Sequence, residues 1–361
     1  MRALVWHWGR RGAGPLFAAH LAQAMGAQSG LDVCLSLAAG AEILAGPEAP
    51  ECDWREPTYN NTLGFLTQFC AAPLVAGRTR RFLARNRPEI AICAMPALLD
   101  GRMRSALRRA GIPYAVVVHD ATAHPGEWLN FKLLGQQRLL RGARWLFALT
   151  GHVEAELIRQ GFGAAGQRIH RLWHPLISFA GTVPRPPGAV GARPRILHFG
   201  RLLPYKGLDL LAGALEILGP ARPFELRVCG EGPNSRSLER LKAQPGVELE
   251  QRWFADSEIS GLLAWADALV LPYREASQSG VAALALAAGK HVLSTNVGGL
   301  PEQLAGWPDT MLCAPTAQAV ADGLAELSLR ISRGGQAGAL PDAAADWQEL
   351  GKLLLAALNR P

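Results

Sequence analysis

Short apolar runs alternate with amphipathic stretches along the whole chain. In the first half, runs at Ala3–Trp8, Asp32–Ser36, Ile90–Ala94, Tyr114–His119 and Trp145–Leu149 predict strands. Helical spacing at Leu16–Met25, Thr79–Arg87, Arg102–Ala110 and Glu154–Gln160 predicts helices between or after them. The second half repeats the arrangement, with strands predicted at Arg195–Phe199, Glu225–Cys229, Val247–Glu250, Ala268–Pro272 and His291–Thr295. Its helices are predicted at Leu208–Leu218, Ser235–Lys242, Asp256–Ala264 and Val281–Ala288. Apolar strands that each feed a helix belong on parallel sheets covered on both faces. The predicted fold class is therefore α/β, with two Rossmann-like doubly wound parallel-sheet domains facing a cleft. The Pro/Gly-rich stretch 181–194 reads as a linker between a domain at 1–180 and a second at 195–361, with a last helix able to pack back on the first.

Composition narrows the picture. With 361 residues, 49% hydrophobic and 19% charged, the chain has ample core material, which excludes wholesale disorder. Six cysteines with no CxxC pair argue against a zinc ribbon, a redox motif or a disulfide framework. The apolar run Val281–Gly289 is too short to span a bilayer, and MRALVWHWGRR lacks the apolar core of a signal peptide. A cytoplasmic placement is expected, with attachment to the inner face of the membrane as an option.

The net charge of +7 is uneven. Residues 1–200 hold 23 Lys and Arg against 12 Asp and Glu, and residues 201–361 hold 14 against 18. Two arginine-rich helical stretches, Gly77–Pro88 and Gly101–Gly111, carry much of the excess. If Phe82, Leu83, Met103 and Leu107 face inward, these are ordinary sheet-covering helices. If some of them are exposed, the pair can dock on an anionic bilayer. No aromatic stacking platform accompanies the arginines, so nucleic acid is not an expected partner.

Candidate chemistry lies in the loops after the strands, because open α/β sheets bind ligands beyond their carboxyl ends. In RILHFGRLLPYKGLDLL a strand runs to Gly200, and Arg201 and Lys206 then flank a turn before a helix. Two cations there suit a diphosphate, although on spacing alone they are equally readable as solvated loop charges. In CGEGP, Gly232 admits close backbone approach and Glu231 offers an acceptor. In LPYREASQSGVAALALAAGK, Glu275 and Ser277 precede a helix whose amides at Ser279, Gly280 and Val281 are expected to meet an anion. There is no GxxxxGK[ST], HExxH, GxSxG or Asp-x-Asp pattern, so no metal ligand is assigned.

In order, FGR…YKG, GEGP, ADALVLPY…SG…AAGK and STNVGGLPE resemble the GT-B glycosyltransferases, specifically the retaining family-4 enzymes. VVHD, ALTGHVEAEL and IHRLWHP extend the resemblance into the first half. It implies a hexosyl transferase that uses a UDP- or GDP-sugar as substrate, with no metal or other cofactor. It also implies a glycan or lipid-linked acceptor of the polysaccharide or lipopolysaccharide kind. By the same resemblance Arg201 and Lys206 grip the donor diphosphate, Glu231 and Gly232 lie near the nucleotide, and His119 reaches the donor sugar. Gly12 and Gly14 match the flexible loop where acceptor and donor meet, and His124, before Pro125, is a further acceptor-side candidate.

One departure stands out. The family carries two glutamates eight positions apart in the third segment, and aligned on Ala287–Gly289 those positions are Ala276 and Leu284. Either Glu275 and the SQSG loop serve the sugar, or the site is a degenerate binding scaffold. A sugar-nucleotide epimerase on the same fold is a third reading.

Overall fold

The computed structural model describes residues 1–46, 49–59, 64, 72–122, 130–164, 166–179, 193–334 and 340–359. The chain divides after Trp173 into two units, each built on its own sheet. The expected linker lies, through residue 192, outside the described residues.

In the first unit the strands are β1 (Arg2–His7), β2 (Asp32–Ala38), β3 (Trp54–Glu56), β4 (Ile90–Cys93), β5 (Tyr114–Val118), β6 (Trp145–Ala148) and β7 (Arg168–Arg171). They form one parallel sheet in the order β3-β2-β1-β4-β5-β6-β7. Among the described residues, five α-helices follow its strands: α1 (Ala13–Gly26), α2 (Ala72–Asn86), α3 (Asp100–Ala110), α4 (Asn130–Gly142) and α5 (Gly151–Arg159). Side chains alternate across β1, so Ala3 and Val5 pack with α1 while Leu4 and Trp6 pack with α3, α4 and α5.

The second unit holds β8 (Arg195–Phe199), α6 (Leu208–Leu218), β9 (Glu225–Gly230), α7 (Arg236–Lys242), β10 (Val247–Gln251), α8 (Asp256–Trp265) and β11 (Ala268–Leu271). It continues with α9 (Gly280–Ala287), β12 (His291–Thr295), α10 (Leu300–Leu304), β13 (Thr310–Cys313) and α11 (Ala317–Ser332). Its parallel sheet runs β10-β9-β8-β11-β12-β13. The last helix, α12 (Ala343–Leu358), belongs to the first unit. There Trp347, Leu350 and Leu354 join the layer of α1, and Trp173 donates from Nε1 to Asp346 at 2.7 Å.

Both sheets are those of the expected two Rossmann-like domains, and each reverses strand order once, at β1/β4 and at β8/β11. The crevice outside the carboxyl ends of those pairs is where this architecture receives ligands. Leu83, Met103 and Leu107 are buried and Phe82 stacks on Trp54 at 4.6 Å, so all four face inward and none is an exposed membrane anchor.

Candidate functional site

At the β8/β11 switch point two loops are fastened together. The turn after β8 ends in Gly207, whose φ of 69° lies in the left-handed region. A Cβ there would stand 2.7 Å from the carbonyl carbon of Pro272 and closer still to its oxygen, so only glycine lets the strands' loops meet this closely. The Tyr205 carbonyl accepts from the amides of Arg274 at 2.8 Å and Glu275 at 3.4 Å. The Arg274 guanidinium pairs with Asp209 in the first turn of α6, with Nε 3.1 Å from each carboxylate oxygen. A third loop joins them, because Leu202 donates its amide to the Glu231 carbonyl at 2.8 Å.

This framework seats the two expected cations differently. Lys206 is buried, with Nζ 3.7 Å from the centre of the Tyr273 ring and 5.1 Å from that of Tyr205. Arg201 is exposed, and its guanidinium lies 5.5 Å from the Tyr205 ring centre. The Tyr205 ring therefore touches both cations, and the aromatic faces hold the ammonium through the ring quadrupole. Tyr273 is fully buried; burial pushes its hydroxyl up to about 12, and the hydroxyl lies 3.4 Å from Ser279 Oγ. Beneath the loop His198 donates from Nδ1 to the Val270 carbonyl at 3.1 Å. Burial pushes its imidazole down to about 4, and the Lys206 charge acts in the same direction. His198 is thus a neutral packing residue.

At the start of α9 the expectation needs one correction. The Ser279 amide is not an open anion donor, because it donates to Gln303 Oε1 at 2.8 Å while Gln303 Nε2 returns a bond to the Ser279 carbonyl at 2.9 Å. The Ser279 hydroxyl is also engaged, accepting the Ala282 amide at 3.2 Å as the cap of the helix. Gly280 and Val281, in the first turn, have amides without an intrahelical acceptor by position. Ser277 is buried and Glu275 exposed in the same loop. Leu284 is buried, so this position of the departed glutamate is filled by apolar packing. Gly200 and Gly232 are half-buried, and Glu231 is exposed at the loop rim.

In the first unit, the β1/β4 switch point holds two buried imidazoles on consecutive carbonyls. His119 Nε2 donates to the Ala94 carbonyl at 3.1 Å, and its ring meets the Phe17 ring edge-on at 4.6 Å. His7 Nδ1 donates to the Met95 carbonyl at 2.8 Å. Gly12 is exposed with φ 79°, whereas Gly14 is buried against the His7 ring. His124 lies outside the described residues. The sequence reading did not single out His7, Tyr205, Tyr273 or Gln303. Tyr205 and Tyr273 were visible inside the quoted motifs, and His7 as a histidine closing the first strand. Gln303 gave no signal, because its role depends on a contact 24 residues away.

Comparison with known proteins follows the same division. Residues 193–329 match the model described as glycosyl transferases group 1, and residues 12–173 match the glycosyl transferase 4-like domain. A curated relative, D-inositol 3-phosphate glycosyltransferase of Streptomyces scabiei, is 30% identical over 216 residues, which is 53% of this chain. The chain spans 46% of that relative's length. In solved structures, HepE of Anabaena in complex with UDP and glucose aligns with a TM-score of 0.68 at 16% identity, over 99% of each chain. The UDP-GlcNAc 2-epimerase of Neisseria meningitidis aligns with a TM-score of 0.61 at 11% identity, also over 99% of each chain. At those identities both show the fold alone.

Proposed function

Because the chain belongs to the family-4-like GT-B glycosyltransferases, we propose that it moves a hexosyl group from a nucleoside-diphosphate sugar to a hydroxyl of a glycan or lipid-linked acceptor. The observation that carries this reading is the Lys206 ammonium, buried on two tyrosine rings at the β8/β11 switch point. A fixed cation in that crevice suits a diphosphate, with Arg201 at the rim and the first-turn amides of α9 as further donors. UDP or GDP is the nucleotide in this reading, and the UDP bound by HepE supports the first.

The reaction follows from where charge develops. The bond between the sugar C1 and the β-phosphate oxygen breaks while a new bond forms between C1 and the acceptor oxygen. The acceptor proton passes to the departing phosphate on the same face, which retains configuration at C1. Negative charge on the leaving diphosphate rises along this path, so Lys206 and Arg201 act more strongly in the transition state than in the ground state. They take the neutralising role that a metal ion has elsewhere. Glu275 serves a hydroxyl of the donor, His119 is assigned to the donor sugar, and the Gly12–Gly14 loop is assigned the acceptor side.

A docking role on anionic membranes rests on charge alone, carried by exposed arginines such as Arg81, Arg85, Arg108 and Arg109 of α2 and α3. Sedimentation with anionic vesicles is expected at low salt and lost at high salt, and equal binding to neutral vesicles would remove this role.

Thermal-shift titration with UDP, GDP and ADP tests the donor site, because a ligand at a hundred times its dissociation constant stabilises by about 2.7 kcal/mol. Release of the free nucleotide from its sugar, dependent on added acceptor, then tests transfer. Nucleotide binding without turnover supports the scaffold reading, and conversion of the donor sugar without transfer supports the epimerase.

A further inference from the structure

The loop after β1 reads HWGRRGAG, and the His7 ring explains two of its glycines. The three heavy atoms nearest a Cβ added at Gly14 all belong to that ring, with Cε1 at 2.6 Å and Nε2 closer still. At Gly9 the same three atoms are nearest, with Cε1 at 3.0 Å. The ring therefore sits in a keyhole formed by the backbone at Gly9 and Gly14, and it is buried there. Its other edge is anchored across the switch point, where Nδ1 donates to the Met95 carbonyl at 2.8 Å. A carbonyl only accepts, so Nδ1 carries the proton, and in the neutral ring Nε2 presents its lone pair to the loop.

That lone pair lies at the start of α1. Helix α1 has Gly12 at its N-cap and no side-chain cap of its own. The preceding residue, Ala94, accepts from His119 through its own carbonyl. One short segment after β4 thus anchors both imidazoles, one set under the β1 loop and the other at the end of β5.

We infer that His7 is the positioning residue of the acceptor-side loop: its ring holds Gly9–Gly14 and the start of α1 in place from the Met95 carbonyl. The inference rests on the transferase reading for its catalytic consequence and on the geometry alone for its structural one. Without the ring, the loop that is assigned to the acceptor loses its support. A misplacement of about 1 Å in a reacting complex costs on the order of a hundredfold in rate.

A double-mutant cycle tests this. Gly14→Ala alone forces the loop off the ring, and the acceptor-dependent kcat/KM is expected to fall by roughly ten- to a hundredfold. His7→Ala alone is expected to raise the acceptor KM by a similar factor. Affinity for UDP should stay within about twofold in both, because the nucleotide is assigned to the second unit. In the His7→Ala background Gly14→Ala should cost less than about twofold, because the atoms it collided with are gone and alanine suits a helical first turn better than glycine. His7→Asn, which can still reach Met95 but lacks the edge that faces Gly14, should restore part of the activity and tolerate Gly14→Ala.

Additive losses would overturn the inference, as would an unchanged acceptor KM in His7→Ala. If the wild-type protein transfers no sugar, the transferase reading fails and the cycle is read instead in melting temperature and in hydrogen exchange of the Gly9–Gly14 amides. Coupling between the two positions is still required there, and its absence overturns the structural claim independently.

Discussion

Replacing Lys206 by alanine removes a single charge from a site where charge is the proposed catalyst. The ammonium is buried and lies 3.7 Å from the Tyr273 ring centre. A desolvated cation on an aromatic face gains about 2 kcal/mol or more, so the side chain is held in one place before any ligand arrives. A preorganised charge at a departing oxyanion contributes on the order of 2–4 kcal/mol to the barrier. Lys206→Ala is therefore expected to lower kcat by roughly thirty- to a thousandfold, with a smaller rise in donor KM. The tyrosine separates seat from charge. Tyr273→Phe keeps the ring face and gives up only the contact with Ser279, so activity should stay within about threefold, whereas Tyr273→Leu removes the seat and should cost about tenfold or more. Initial rates of nucleotide release over a range of donor concentrations, with calorimetric UDP affinities alongside, provide the measurement. A Lys206→Ala enzyme with kcat within twofold of wild type would refute the reasoning. If Tyr273→Phe were as damaging as Tyr273→Leu, the hydroxyl and not the ring would be the working part.

Three further outcomes are expected. Gly207→Ala should lower the melting temperature by several degrees, since it combines a left-handed φ with a collision against the Pro272 carbonyl; an unchanged melting curve would contradict the close fastening of the two loops. Glu275→Gln should leave stability unchanged, because the side chain is exposed, yet cut turnover at least tenfold if the carboxylate serves the donor; wild-type kinetics would return Glu275 to the surface. Asp100 is buried, and burial pushes its carboxyl up to about 7, although bonds from the Ala97 amide at 2.6 Å and from Trp6 at 3.1 Å act the other way. A raised pKa means that the folded state holds the proton longer, so this group's stabilisation is complete below about pH 4 and is lost as pH rises through 7. Urea titrations between pH 4 and 8 should show that slope, and Asp100→Asn should flatten it.

Much of this was legible from residue pattern. The central strands β1, β4, β5 and β11 are buried on both faces, and each carries a continuous apolar run (ALVW, IAIC, YAVVV, ALVL) that the sequence displays directly. Edge strands β3 and β7 were not legible, because β7 reads RIHR and β3 reads WRE, and half-exposed strands carry polar side chains, whereas the edge strand β10 was predicted at Val247–Glu250. Helix α11 was not predicted either, although its apolar positions recur at helical spacing. Around the site, Arg201 and Lys206 announced themselves by charge, and the structure added what charge cannot show, that only Lys206 is buried. The Ser279 amide was misread for a related reason. Position at a helix start marks a donor as available, but Gln303, from another helix, occupies it. Long-range polar contacts of that kind have no local signature.

The return of helix α12 to the first unit makes the chain's order of synthesis matter. When Trp173 has emerged, the layer around α1 still lacks Trp347, Leu350 and Leu354, and the whole second unit must be translated before they arrive. At about 5–20 residues per second that interval lasts roughly nine to thirty-five seconds. During it Phe17 has no Trp347 ring to meet at 4.9 Å, and Ala24 lacks the close packing of Gly351. The nascent protein therefore carries a bare apolar stripe on one finished-looking sheet while its neighbour folds, a state that invites chaperone capture or self-association. A fragment ending at Trp173 makes that intermediate permanent, so the first half of the gene is expected to yield an aggregation-prone product even though it encodes every strand of its sheet.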